Sequence, residues 1–355
     1  MKKKTLAVIG SGPAALMAVS LLKDTYDVFL FEKPSRTNTL GKRILVSGNG
    51  RANFLNEDLL SLEDARNMLS YLRNVLHFAY QTEGKLYYPY FNRSECLHSV
   101  LTRDLSSSVH VLFSEVKEIH PERKTVSYLQ DGKRKEQRYD YAIFAPGGRS
   151  YDREDFTYGL LDSLNVAYRP FESLLCPVKV KEKIPPYLDK NRLKVVLSLL
   201  WNGNEVFQEN GEVLFKSDGI SGICVFDSTL TIRHMENRGG TFTYTMDYSK
   251  GLLLSRDLPS APLFLKRYVE DRKLVFPQPL RVTYAGCYPF SSSQVSYGGI
   301  LLSERNEDLS LKKHPEIYTI GEVMDKNFIC GGYNMGNALM EGYRCGKELL
   351  KHAGK

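Results

Sequence analysis

The sequence has no apolar run long enough to cross a bilayer, no internal repeat and no low-complexity tract. Those absences argue against a membrane-spanning protein, a solenoid and a disordered tail. Its six cysteines stand at 96, 176, 224, 287, 330 and 345, with no C-x-x-C pair and no zinc-finger spacing. That argues against a disulfide-reductase type of two-cysteine centre and against a structural metal. It fits single buried thiols in a reducing, cytoplasmic compartment. There is little charge of one sign: 48 basic against 41 acidic residues, a net +7. So mild a surplus does not by itself specify nucleic acid. Lys2, Lys3 and Lys4 precede an apolar stretch from Thr5 to Leu22, a faint likeness to a signal peptide. The break at Gly10-Ser11-Gly12-Pro13 speaks against one, so the chain is expected to be soluble and unprocessed, with no membrane partner.

What is present is globular: 355 residues, 42% hydrophobic and 25% charged. That length suggests about two domains. Thr5 to Ile9 reads as a buried strand, Ala14 to Lys23 as a helix and Asp27 to Phe31 as a second strand, together a βαβ unit. Residues 60–82 look helical. Residues 110–145 read as strands and turns, with a turn at Asp131-Gly132. From about residue 171 the pattern becomes antiparallel, with hairpin turns expected at Asn202-Gly203 and Asn210-Gly211. Prolines at 259, 262, 277, 279 and 289 punctuate the end of that region. A strand at Glu316 to Ile320 and a helix near 337–351 close the chain. The fold class expected is α/β: a Rossmann-type domain, residues 1–172 and 290–355, interrupted by a β-rich domain at 173–289.

The first chemical motif is Gly10-Ser11-Gly12-Pro13-Ala14-Ala15, a G-x-G-x-x-A between a strand and a helix. Gly10 permits a tight turn, Gly12 lets a pyrophosphate approach the backbone, and Ala15 lets helix and sheet pack closely. The helix start offers free N–H groups to phosphate. Glu32 follows Gly12 by 20 residues, where an acid accepts from an adenosine ribose; Lys33 stands beside it. The acid favours FAD or NAD over NADP. No second strand-linked G-x-G-x-x-G exists, as a two-dinucleotide enzyme would need. Two further strand ends, Tyr141 to Gly148 with Ala145 and Gly147, and Tyr318 to Glu322 with Gly321, suit one long cofactor, FAD. Gly41 to Asn53 is glycine-rich and basic: Arg43 and Arg51 would fork onto phosphate, with Ser47, Gly48, Gly50 and Asn53 alongside. Cys330 to Ala338 places glycines before a helix, a site for a carbonyl or anion near a flavin, with Asn334, Met335 and Gly336 as contacts. Val116 completes the candidate cofactor contacts.

At these residues the chain resembles the BaiN-like, or aminoacetone oxidase, family of FAD-binding oxidoreductases. The likeness rests on "GKRILVSGNGRANFLN" at 41–56, "EGKLYYP" at 83–89, "GISG" at 219–222, "QVSYGGI" at 294–300, and "GEVMD" followed by "GGYNMGNA" at 321–338. The resemblance implies a glutathione-reductase-like FAD domain with an inserted barrel-like domain. It also implies FAD contacts at Gly10, Gly12, Ala15, Glu32, Arg43, Ser47, Gly48, Arg51, Gly321, Glu322 and Asn334 to Gly336. Pro13 and Ala14 lie within the same motif. There are departures. Ala52 stands where the family usually has cysteine, and Arg149 to Tyr158 lacks the glycines of the family's mid-chain stretch. The insert is short.

The expected function is an FAD-dependent oxidoreductase passing hydride through the flavin to or from a small-molecule substrate. NADH or NADPH is the expected transient donor. Two other readings stand beside it: an FAD-binding tRNA-modifying enzyme, and a flavin-binding protein without turnover. "GKRKEQR" at 132–138 is the one dense basic candidate for RNA, and a solvated hairpin tip accounts for it. No stable nucleic-acid partner is expected. The seven histidines are scattered, so no catalytic acid or base is assigned; Tyr333 and Asn334 are the candidates nearest the ring.

Overall fold

A computed structural model of the chain describes residues 3–150, 158–248, 263–273 and 278–353. It divides into two compact units: 1–148, 155–171 and 298–355 in one, 149–154 and 172–297 in the other.

The first unit is built on a five-stranded parallel sheet. Strand β1, Thr5–Ile9, is followed by helix α1, Pro13–Leu22, and strand β2, Asp27–Glu32. β1 lies between β2 and Tyr141–Phe144; Val109–Phe113 and Ile317–Thr319 form the edges. Numbered by chain order, the strands run 3-2-1-4-5, the order of a Rossmann half with its switch point beside β1. Leu6, Ala7 and Val8 are wholly buried, as a parallel strand covered on both faces requires. Pro13 opens α1 where its missing N–H costs nothing.

The C-terminal helix, Tyr333–Leu350, packs along α1. Two glycines one turn apart make this approach close. A Cβ on Gly342 would stand 2.2 Å from the Ala14 carbonyl oxygen, and one on Gly346 would stand 3.1 Å from the Leu21 Cβ. Sequence patterning did not single out either glycine.

Residues 60–82 are not one helix. A helix spans Glu63–Asn74, and Tyr80–Glu83 is a strand paired with Leu86–Pro89. Between them the chain turns at His77, whose φ of 56° no helix accommodates. The 132–138 segment is a strand, Lys133–Arg138, and some of its charge is paired: Arg134 with Glu118, Glu136 with Arg123 at 3.5 Å.

The second unit contains a closed six-stranded antiparallel barrel. The strands in order around it are Val178–Val180, Gly219–Ser221, Asn204–Lys216, Arg192–Trp201, Phe242–Asp247 and Leu280–Cys287. Closure leaves no unpaired edge. Along Arg192–Trp201, Leu193, Val195, Leu197 and Leu199 alternate into the core. Asn202 and Gly203, both at positive φ, form the expected hairpin turn. Asn210-Gly211 does not turn; it lies inside Asn204–Lys216, opposite Val196 and Val195. The reason for the glycine is packing. A Cβ there would stand 2.6 Å from the Cys224 sulfur on the helix Ile223–Met235, an element the strand reading overlooked. Pro259, Pro262 and Pro277, expected to punctuate this region, lie outside the described residues, as do residues 151–157.

Among the described residues, no helix is long and apolar enough to cross a membrane.

Gly342→Ala tests the helix contact. The methyl would meet a backbone oxygen, so α1 and the C-terminal helix must separate. The expected loss is about 1–3 kcal/mol despite alanine's better helix propensity. Gly346→Ala, facing a flexible leucine, should cost less. Urea unfolding of both variants checks the order; equal stabilities would contradict the close contact.

Candidate functional site

The site forms where β1 ends. Gly10 has a φ of 92°, and its N–H donates to the Phe31 carbonyl at 2.8 Å. Its missing side chain matters for a second reason. A Cβ would lie 2.3 Å from the Ala145 carbonyl oxygen at the end of the neighbouring strand. Gly10 therefore lets two strand ends meet at the switch point, beyond making a turn.

Gly12 differs. A Cβ there would meet nothing within 4 Å, so the space beside it is open. Gly12 caps α1 in extended conformation, and no side chain caps the helix. The first-turn N–H groups and the positive end of the helix dipole face that end. Ala15 is fully buried, as close helix–sheet packing requires.

Ser11 ties the site together, and sequence patterning had passed over it. It is 3% exposed. Its backbone N–H and its hydroxyl both donate to Glu32 Oε2, at 2.9 and 2.5 Å. The Ser11 hydroxyl oxygen accepts from the Gly41 N–H at 3.1 Å. The G-x-G turn, the end of β2 and the start of the basic segment are thus joined through one side chain. Burial raises the Glu32 carboxyl above its ordinary value; the Ser11 bonds, then Lys42 and Arg43, oppose the rise.

The third strand end arrives as expected. Gly321, with φ 80°, would set a Cβ 3.1 Å from that of Ala14. Its N–H donates to Glu341 Oε2 at 2.9 Å. Glu341 is 3% exposed and pairs with Arg305 at 3.0 Å and Lys326 at 3.6 Å. Glu341 was not foreseen, since an acid inside an amphipathic helix reads as surface. Glu322 follows Gly321 and is partly buried. Gly147 has φ 80° and open space at its missing Cβ. Lys33 pairs with Glu115 at 3.9 Å, and Val116 is buried in the next position, opposite Tyr128.

The 41–53 segment adopts an unusual backbone. Gly48, Asn49, Gly50 and Ala52 all have positive φ. For Asn49 and Ala52 that is strained, a cost of order 1–3 kcal/mol each that surrounding contacts must offset. Gly48 is required because a Cβ would stand 2.8 Å from the Asn53 nitrogen. The Ser47 hydroxyl donates to the Ile44 carbonyl at 2.7 Å. Arg51, expected on phosphate, is engaged within the protein. It pairs with Glu83, donates to Asn92 at 2.9 Å and lies over the Tyr88 ring at 4.2 Å. Arg43 and Lys42 are the basic residues whose charges act on Glu32.

The 330–338 segment docks on residues 53–59. Oriented with its carbonyl toward Gly332, the Asn53 amide accepts from the Gly332 N–H at 3.2 Å. Asn56 donates to the Gly331 carbonyl at 2.9 Å. A Cβ on Gly336 would lie 2.8 Å from a Leu59 methyl, so packing accounts for this glycine. The Asn334 amide donates to the Phe328 and Ile329 carbonyls at 3.2 and 3.1 Å. Met335 packs partly against the core. The Tyr333 hydroxyl donates to Asp58 at 2.6 Å.

No family model matches the chain. A curated protein, the 3-dehydro-bile acid delta(4,6)-reductase of Clostridium scindens, is 24% identical over 98% of this chain and 99% of its own. Among solved structures, the 3-ketosteroid delta1-dehydrogenase of Sterolibacterium denitrificans aligns with a TM-score of 0.56 at 11% identity. That match covers 99% of this chain and 100% of the other. A flavocytochrome c3 fumarate reductase aligns at 0.54 and 12% identity, over all of this chain and 79% of its own. The fold shared with these enzymes is a parallel, Rossmann-like core.

The balance at Glu32 can be tested by pH. Its folded value lies above its unfolded one, so the native state binds more protons between the two. Wild-type stability contributed by this group is present at acid pH and is lost as pH rises through that window. Glu32→Gln carries no charge to desolvate. Its melting temperature relative to wild type should rise from pH 4 upward and level off above the folded value. A difference that falls with pH would show that the Ser11 bonds outweigh burial.

Proposed function

We propose that this chain is an FAD-dependent oxidoreductase of the BaiN-like, or aminoacetone oxidase, kind, with a glutathione-reductase-like cofactor domain and a small-molecule substrate. One observation carries the reading: α1 begins, uncapped and open at Gly12, at the switch point of a 3-2-1-4-5 sheet, with a partly buried acid at the end of β2. This donor set fits the adenosine diphosphate half of the cofactor. The end-to-end relation to a reductase supports the activity.

The isoalloxazine supplies hydride transfer when bound. The chain's residues bind and orient. The N–H groups at the start of α1 take the pyrophosphate. Both Ser11 bonds fall on Glu32 Oε2, so Oε1 would be the oxygen that holds the ribose. Lys42 and Arg43 add positive charge beside it. Gly321 is held by Glu341, and Glu322 beside it would hold a ribityl hydroxyl. NADH or NADPH serves as transient donor. The relative's name directs the first substrate trials to unsaturated 3-oxo bile acids.

The purified protein should be yellow, with an absorption band near about 450 nm and FAD released on denaturation. NADH or NADPH without oxygen should bleach that band, and a substrate should restore it. A colourless protein that takes up no FAD would contradict the reading. A bound flavin that neither donor nor any substrate trial reduces would leave a cofactor-binding protein without turnover. Gly12→Glu puts a bulky like charge at the phosphate approach and should abolish FAD uptake while the fold persists by circular dichroism.

A further inference from the structure

The cysteines are not all solitary. In the barrel unit, Val178–Val180 pairs with Leu280–Cys287, with Val178 opposite Cys287. The Tyr288 N–H donates to the Pro177 carbonyl at 2.9 Å, so the ladder continues past that pair. Cys176 precedes Val178 by two residues, and its thiol is hydrogen-bonded to that of Cys287. Two thiols that sequence spacing kept apart therefore meet across two strands. Cys176 is fully buried; Cys287 is partly exposed.

The surroundings favour charge on one of the two sulfurs. The Tyr284 hydroxyl lies 3.4 Å from the Cys287 sulfur. Arg233, on the helix Ile223–Met235 with a side chain only 9% exposed, acts on Cys287 through its charge. Its guanidinium donates to the Ser173 carbonyl at 2.9 and 3.2 Å and pairs with Glu172 and with Glu236 at 2.9 Å. The Cys176 hydrogen bond lowers the Cys287 thiol below its ordinary value, aided by Arg233 and Tyr284 and opposed by burial and by Glu236. Cys176 shifts the opposite way, through its bond to Cys287 and through burial. Among the described residues, Tyr244, wholly buried and bonded to Ser228 at 2.7 Å, also couples to the pair through its charge. A partly exposed thiolate touching a buried thiol is the arrangement of an attacking and a resolving cysteine.

We propose that Cys287 and Cys176 form a two-cysteine redox site in the barrel unit, with Cys287 attacking a hydroperoxide and Cys176 resolving the product. In the first step the Cys287 thiolate forms a bond to one peroxide oxygen and the O–O bond breaks. The leaving oxygen departs as hydroxide, or alkoxide from an organic peroxide, and takes a proton from water. Cys287 is left as a sulfenic acid. In the second step the Cys176 sulfur bonds to the Cys287 sulfur, the S–O bond breaks, and water leaves with the Cys176 proton. Two thiols give up two electrons and the peroxide is reduced. An external thiol reverses the disulfide by exchange. The bridge would tie two neighbouring barrel strands covalently. This site stands independently of the flavin reading.

The test uses the full-length protein as purified, with hydrogen peroxide as the probe. After brief treatment, free thiols are blocked with iodoacetamide and peptides are mapped by mass spectrometry. The expected product is a Cys176–Cys287 cross-linked peptide, reversed by dithiothreitol, with Cys96, Cys224, Cys330 and Cys345 alkylated. In Cys176→Ser, Cys287 should instead accumulate a dimedone adduct. Without peroxide, the rate of Cys287 alkylation against pH should have its midpoint below that of an ordinary thiol. In Cys176→Ala, which has no donor, that midpoint should rise, because the thiolate has lost its hydrogen bond. If Cys287 keeps an ordinary midpoint of about 8.5 in the wild type, the proposal fails. It also fails if peroxide joins other cysteines or leaves this pair alkylated.

Discussion

Helix α1 and the turn that leads into it are in contact with three other parts of the chain, and that crowding governs the first unit. Gly10 rests against the Ala145 carbonyl, Gly342 against the Ala14 carbonyl, and Gly321 against the Ala14 side chain. None of the three positions tolerates a Cβ without movement. Because interiors are close-packed, such contacts hold the helix start in place. The first-turn N–H groups are then aimed by the scaffold before any ligand arrives. That is what preorganisation of an anion site requires. The open side is at Gly12, where nothing crowds the missing Cβ.

Two carboxylates, Glu341 buried and Glu32 partly buried, hold that arrangement, and each costs desolvation. Glu32 offsets part of it through two bonds from Ser11 on one oxygen, with basic neighbours. Glu341 offsets its own with Arg305, Lys326 and the Gly321 N–H. Buried ion pairs seldom stabilise a fold outright, but losing one partner is expensive. Here each acid pins a turn. Ser11 and Glu32 set the G-x-G turn against β2, and Glu341 sets the turn that carries Glu322.

Much of this could be read in the sequence. Strand, glycine turn and helix were legible at residues 5–22 because the apolar spacing and the glycines agree. The Asn202-Gly203 hairpin was legible for the same reason. Asn210-Gly211 shows the limit: the dipeptide is identical, yet Gly211 exists to admit Cys224 from a helix that the strand pattern hid. Gly336 likewise carries packing against Leu59, and Arg51 answers Glu83, Asn92 and Tyr88. Pairings between residues distant in sequence leave no local spacing to detect. The Ser11 hydroxyl, the Glu341 network and the Cys176–Cys287 contact are all of that kind.

The central claim is that the adenosine diphosphate half of a flavin dinucleotide is held at the start of α1. Titrating flavin-free protein with FAD and with FMN, followed by flavin fluorescence, tests it most directly. The two ligands share the isoalloxazine and differ in the adenylate. FAD should bind more tightly by at least about 100-fold, on the order of 2.7 kcal/mol. Equal affinities would show that the adenylate finds no site, and the account of Ser11, Gly12 and Glu32 as its cradle would be wrong.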